Sequence, residues 1–237
     1  LAMTPPDSER YPTAMAVKLY LLDGLRYLQL NSRAMREPCL ATRPTALQLD
    51  GSNLARVVGS FHPDSARGQF NGQRSAEVKD LVSRWTEHLR FALPELRGIG
   101  WKQRQADNAE YLVLHFADGL LCPSWLLSDG TLRMLALTLP AFLPPSPGTI
   151  MIEEPENGVH PKALEIILGA LQSIPGSQAF VATHSPQVVQ QVGRDALLCF
   201  SKDEHGAHVV PGTDHPTLKD WDGTPDLATV FASGVLG

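Results

Sequence analysis

The chain has 237 residues, a formal net charge of −5 and 43% hydrophobic residues, a composition that supports a buried core and excludes wholesale disorder. The acidic balance excludes a generally basic coat for nucleic acid, and Cys39, Cys122 and Cys199 are scattered without metal or redox spacing. No apolar run reaches the ~18 residues of a membrane span, and there is neither a signal peptide nor a repeat of fixed period, so the expectation is a soluble, cytoplasmic protein.

In chain order, residues 1–16 contain Pro5, Pro6 and Pro12 and read as a loop or linker. The apolar run 17–22 reads as a strand, and 27–30 as a second short one. Arg26, Arg33, Arg36 and Arg43 lie against a single Glu37. They form either a solvated, moderately basic surface or an arginine cluster facing phosphate, on a nucleotide or a nucleic acid. Asp50-Gly51-Ser52-Asn53-Leu54 reads as a turn that caps the next helix. Residues 60–72, rich in Gly, Ser, His and Pro, read as a mobile loop. A helix is predicted over 75–93: Ser75 caps it, Val78, Leu81, Val82, Trp85, Leu89 and Ala92 share one face, and Pro94 ends it. Residues 100–104 and 111–116 alternate as strands, and the polar turn between them predicts a hairpin over 100–116.

From Cys122 the pattern alternates between strand and helix, which predicts an α/β fold with a mostly parallel sheet. Leu127-Ser128-Asp129-Gly130-Thr131 precedes an apolar helical run that ends at Pro144, Pro145 and Pro147. Ser128 or Asp129 can cap that helix, and Gly130 lets backbone N–H groups approach a ligand. Such a helix start is either an ordinary cap or a phosphate-binding device. Thr149–Ile152 has the pattern of a buried strand and stops at Glu153, Glu154, Pro155 and Glu156. Three carboxylates thus gather where open α/β sheets place their ligands. Their mutual repulsion makes sense if a cation or a transferred proton sits among them; a solvated acidic turn is the plain alternative. After an amphipathic helix over 162–173, the strand 179–183 ends at Thr183-His184-Ser185-Pro186 and presents His184, a structural or a catalytic histidine. Strands follow over 197–201 and 208–210. By this reading the chain divides into 1–16, 17–121 with the inserted helix and hairpin, 122–211 with the chemistry, and a tail over 212–237.

Taken together and in this order, these stretches resemble the ABC-type ATPase heads of the RecF, SMC and OLD group, and the wording EEPENG-HP with THSP downstream looks like their stand-alone prokaryotic AAA-type members. The resemblance covers about the C-terminal half. It implies a P-loop NTPase-like α/β head, a mostly parallel sheet flanked by helices with a small inserted lobe of helix and hairpin. It makes 127–131 the signature, 150–154 the Walker B strand, 156–161 the D-loop and His184 the switch histidine. Ser128, Asp129, Gly130 and Thr131 would then bind nucleotide, Glu153 would hold the metal, and Glu154 with His184 would be catalytic. Glu156, Asn157, Gly158 and His160 would line a dimer seam. The implied cofactors are ATP and Mg2+, and the implied assembly is a homodimer closed around ATP. A nuclease partner, DNA, and a role in phage defence or DNA repair follow by the same analogy.

Two features depart from the family pattern. Glu153 stands where aspartate is usual. No Gly-Lys pair, and hence no G-x-x-x-x-G-K-[ST] phosphate loop (Walker A), occurs in the 237 residues. The chain begins with Leu1 rather than Met, so the expectation is a truncated head with little ATP hydrolysis of its own. Three other readings accompany this one: a head fragment that binds a partner or nucleic acid, a divalent-metal nuclease built on Glu153, Glu154, Glu156 and a histidine, and a transporter's nucleotide-binding subunit.

Overall fold

In a computed structural model describing residues 9–61, 72–145 and 147–236, the first helix, α1 (Pro12–Leu19), opens at a proline, whose fixed φ and missing N–H suit a first helical turn. A π-helical turn, Tyr20–Gly24, continues it. The strand expected over 17–22 is therefore helix. Val17, Leu19, Leu21 and Leu22 are exposed, so no buried sheet recruits them, and a short apolar run carries no period of its own. The loop expected over 60–72 falls largely outside the described residues.

The chain divides into two units, Leu1–Ala182 and Thr183–Gly237. In the first, β1 (Leu25–Leu28) leads to α2 (Ser32–Arg36), where the Ala34 N–H donates to the Asn31 side chain at 3.1 Å. The turn ahead of α3 (Leu54–Phe61) needs Gly51 at φ +72. Its Asn53 is fully buried: Oδ1 accepts from the Gln48 N–H at 2.8 Å, while Nδ2 donates to the carbonyls of Pro44 and Ala46 at 2.9 and 2.7 Å. One amide thus satisfies three backbone groups of the incoming loop.

Helix α4 (Gly72–Arg90) follows; it starts and ends three residues earlier than the predicted 75–93, so Ser75 lies within the helix and does not cap it. It buries Leu81, Trp85 and Leu89. The Trp85 Nε1–H donates to Thr138 Oγ1 at 2.8 Å, which gives the buried indole its partner. Strands β2 (Leu96–Gln103), β3 (Glu110–Phe116) and β4 (Leu121–Pro123) form an antiparallel sheet in that order. At the β2–β3 turn the Arg104 guanidinium, bonded to Asp107, holds that carboxyl down at about 2, with help from the Ala109 N–H. Because the folded value is depressed, the pair's contribution is present above the unfolded carboxyl's pKa of ~3.9 and is lost as pH falls through about 2. Carboxyl NMR is expected to place the Asp107 midpoint there, and Arg104→Ala should return it towards ~4. A wild-type midpoint near 4 would rule the pair out.

Helices α5 (Asp129–Thr138) and α6 (Pro161–Gln172) flank β5 (Gly148–Glu153) in the chain, and β6 (Ser177–Ala182) closes the unit. The parallel sheet has the order β1-β5-β6, with Arg26 opposite Ile150, Ile152 opposite Val181, and Glu153 opposite Ala182. One face, with Leu28, Ile150, Ile152 and Val181, packs into a core with Leu132 and Leu135 of α5 and Ala163, Ile167 and Leu171 of α6. The expected parallel sheet flanked by helices is present.

The second unit holds α7 (Pro186–Val192), the hairpin β7 (Leu198–Asp203) and β8 (Gly206–Pro211), and α8 (Leu227–Ala232). Its core joins Val189, Cys199, Leu218, Leu227, Val230 and Leu236. The stretch expected as a separate tail, 212–237, therefore supplies most of this core, and the unit begins inside the span 122–211. Asp226 caps α8 by accepting from the Thr229 N–H at 2.8 Å.

Candidate functional site

At the end of β5, Glu153 is exposed and Glu154 adopts φ +45. A residue with a Cβ visits that left-handed region at a cost and stays only where its surroundings fix it. Here they do. The Glu154 N–H donates to the Ala182 carbonyl at 2.8 Å. Its carbonyl accepts from the Asn157 N–H at 3.0 Å and from Arg133 Nη2 at 3.3 Å. Its carboxylate accepts from the Asn157 amide. Pro155 is buried, and Gly158 turns the chain at φ +69. The exposed His160 then caps α6, since its Nδ1 accepts from the Lys162 N–H at 3.2 Å and Pro161 takes the first helical position.

The start of α5 comes against this turn. Ser128 Oγ accepts from the Thr131 N–H at 3.2 Å and bonds the Thr131 hydroxyl at 2.9 Å, so Ser128 is the N-cap. Arg36 braces the same loop: Nη2 donates to the Leu127 carbonyl at 3.0 Å and pairs with Asp129. Of the arginines read as a surface or as a phosphate cluster, Arg36 thus serves a loop, and Arg43 bonds Gln48 at 2.8 Å. A Cβ added at Gly130 would lie 2.6 Å from the Gly158 carbonyl oxygen. Glycine is what lets these two segments touch.

Gly130→Ala therefore separates two opposed effects. In a free helix the change favours folding by up to ~1 kcal/mol, whereas overpacking against backbone costs about 1–3 kcal/mol. Net destabilisation in urea titration is the expected result; a gain would show that the two segments part readily.

The structure gathers Ser128, Asp129, Gly130, Thr131, Glu154, Asn157 and Gly158 at one place, with Glu153 beside them on β5. His184 belongs to the second unit, where it is exposed and sits in a turn closed by the Ser185 N–H donating to Thr183 Oγ1 at 2.9 Å. Arg133 is the contributor that pattern reading does not assign to the site, and Arg36, read as surface or phosphate cluster, contributes by bracing the loop. Among the described residues, no three His, Cys, Asp or Glu side chains converge on a metal, which leaves the nuclease reading without a ligand cluster. One exposed carboxylate at a strand end does fit Mg2+, a hard cation that keeps several waters and shares substrate phosphates. The 10-residue α5, with its hydroxyl-bearing start, fits an anionic phosphate, and Arg36 offsets the charge of Asp129 there.

Comparison with known proteins bears on this arrangement. A protein-family profile matches residues 47–190, more than half of the chain; the matched span contains Ser128 to Thr131, Arg133, Glu153, Glu154, Glu156, Asn157, Gly158, His160 and His184, and Arg36 lies ahead of it. No curated protein matches the sequence. Among solved structures, an SMC ATPase described for ATP-driven dimerization and DNA-stimulated activation has 14% identity and a TM-score of 0.43, over 59% of this chain and 88% of that one. The Smc head domain of Pyrococcus furiosus, solved bound to the C-terminal domain of ScpA, has 15% identity and a TM-score of 0.43, over 58% and 36%. That of Pyrococcus yayanosii has 12% identity and a TM-score of 0.45, over 68% and 30%. The chain thus spans about a third of each Pyrococcus protein it matches.

The matched family supports an ATPase of the P-loop class. The chain belongs to the family described as "AAA domain, putative AbiEii toxin, Type IV TA system". Among the described residues no helix is long and apolar enough to cross a membrane.

Proposed function

We propose that this chain is the signature-bearing part of an ATP-hydrolysing head that dimerises around ATP. The observation that carries the reading is the meeting of the α5 start with the acidic turn of β5, through Gly130 and Gly158, at a Glu154 whose N–H, carbonyl and one carboxylate oxygen are hydrogen-bonded. In this reading Glu154 orients and deprotonates the attacking water, the role of a general base. Glu153 would hold Mg2+ through water, and Mg2+ when bound neutralises phosphate charge. Ser128, Asp129, Gly130 and Thr131 present the helix start to the γ-phosphate of ATP bound by a second copy. By the same analogy His184 would contact a γ-phosphate or hold the attacking water in line. Glu156, Asn157, Gly158 and His160 form the seam of a two-fold homodimer.

The family description, "AAA domain, putative AbiEii toxin, Type IV TA system", favours a defence role; a nuclease partner and DNA rest on analogy alone, and DNA repair is the second process in view. A head fragment serving as a binding module is the reading to test against it, because no Gly-Lys phosphate loop occurs in these residues. The test is ATP binding and hydrolysis with magnesium, on this chain and on one extended upstream. Hydrolysis and nucleotide-dependent dimerisation by the extended chain support the ATPase head. An extended chain that ignores ATP overturns it in favour of the binding module.

A further inference from the structure

We infer that Arg133 is a positioning residue: it ties helix α5 to the backbone of Glu154, so that the aim of the catalytic carboxylate depends on where α5 sits. The inference rests on the ATPase reading for its catalytic half and on geometry alone for its structural half.

Glu154 is fixed by four hydrogen bonds. One comes from the neighbouring strand, through the Ala182 carbonyl, and two from Asn157, three residues on in its own turn. These belong to the acidic turn and its sheet. The fourth comes from a different element, because Arg133 Nη2 reaches the Glu154 carbonyl at 3.3 Å from the second turn of α5. That carbonyl follows directly on the left-handed φ of +45. A backbone in a sparsely populated region relaxes when one of its restraints is removed, and rotation there swings the carboxylate.

Arg133 is also an awkward residue for stability. Its Nε is buried and has no hydrogen-bond partner among the described residues, and its neighbours Leu132, Met134 and Leu135 are buried apolar side chains. A buried donor left unsatisfied is unfavourable, and an apolar side chain at this position would avoid it. The Gly130–Gly158 approach gives α5 a second point of contact with the same turn. A ligand that shifts the start of α5 is therefore felt at Glu154 through Arg133.

The experiment compares Arg133→Met, which keeps bulk without a donor, with Arg133→Lys, which keeps one cationic donor, in the full-length protein. Two readouts are taken: kcat and KM for ATP with Mg2+, and the hydrogen-exchange rate of the Asn157 amide without nucleotide. Asn157 reports the turn because its N–H bonds the Glu154 carbonyl. For Arg133→Met the expected result is a kcat tenfold or more lower, KM within twofold of wild type, and Asn157 exchange at least tenfold faster. Arg133→Lys should recover most of kcat. Met and Lys variants that both match wild type in kcat and in exchange overturn the inference. So does a Lys variant of wild-type melting temperature that is as slow as Met while its Asn157 exchange is unchanged. A wild-type protein without ATP turnover overturns the ATPase reading and the catalytic half with it; the exchange rates still decide whether Arg133 holds Glu154.

Discussion

Glu154→Gln is expected to stop ATP turnover while leaving the fold and nucleotide binding in place. Glutamine has the same length, its side-chain oxygen still accepts from the Asn157 amide, and the backbone bonds to Ala182, Asn157 and Arg133 are untouched. What disappears, on the proposed reading, is the basicity that takes a proton from water. A positioned general base contributes about 10²–10⁴ in rate, which corresponds to roughly 3–5 kcal/mol of barrier. Phosphate release by the complete protein should fall by that factor, and sedimentation should show an ATP-bound dimer that persists. If ATP binding falls together with turnover, Glu154 is a structural residue of the turn and the general-base assignment fails.

The second large effect concerns stability and lies away from the site. Arg56 Nη1 pairs with Glu110 Oε1 at 2.9 Å, and the two side chains are 13% and 1% exposed. Arg56 Nε also donates to the Arg43 carbonyl at 3.2 Å. The pair joins α3 to the first residue of β3, where Glu110 also exchanges two backbone bonds of 2.7 Å with Cys39. Arg56→Met strips this cation from a buried carboxylate, a change that costs about 3–5 kcal/mol in comparable settings. Against a total of about 5–15 kcal/mol for a domain, that is a large fraction. The urea midpoint should drop with an unchanged slope, and adding Glu110→Gln should restore part of the loss. A single variant that loses less than ~1 kcal/mol would place the pair in the range of solvent-exposed ion pairs.

The parts of this architecture that sequence patterns expose are those with a strong period or a hard stop. Thr149–Ile152 followed by Glu-Glu-Pro marks the central strand and its end, and the Leu81–Trp85–Leu89 stripe marks α4. Ser128, read either as a cap or as a ligand group, is visibly a cap. Other elements have no such mark. The run 17–22 is apolar without a period, and its helical state follows from Pro12 upstream, which also suits a loop. In α8, Leu227 and Val230 face a core built by residues of α7, β7 and the loop around Leu218, so local sequence says little about their burial. Nothing in Glu-Glu-Pro announces a positive φ at Glu154. The two arginines that shape the site act across 93 residues, from Arg36 to Asp129, and 21, from Arg133 to Glu154. Such partnerships are decided by the fold, and no local spacing encodes them.

Trp125, just ahead of the α5 start, is 45% exposed and rests on Tyr111, with ring centroids 4.9 Å apart at 47°. Trp85, in α4, is wholly enclosed and bonded to Thr138 at the end of α5. One indole therefore emits from the rim of the loop that carries Ser128, and another from the dry interior behind it. With Trp101 and Trp221 replaced by phenylalanine the protein would hold its own optical gauge: emission from the rim is expected to respond to whatever settles on that loop, the interior indole would serve as reference, and no dye has to be attached.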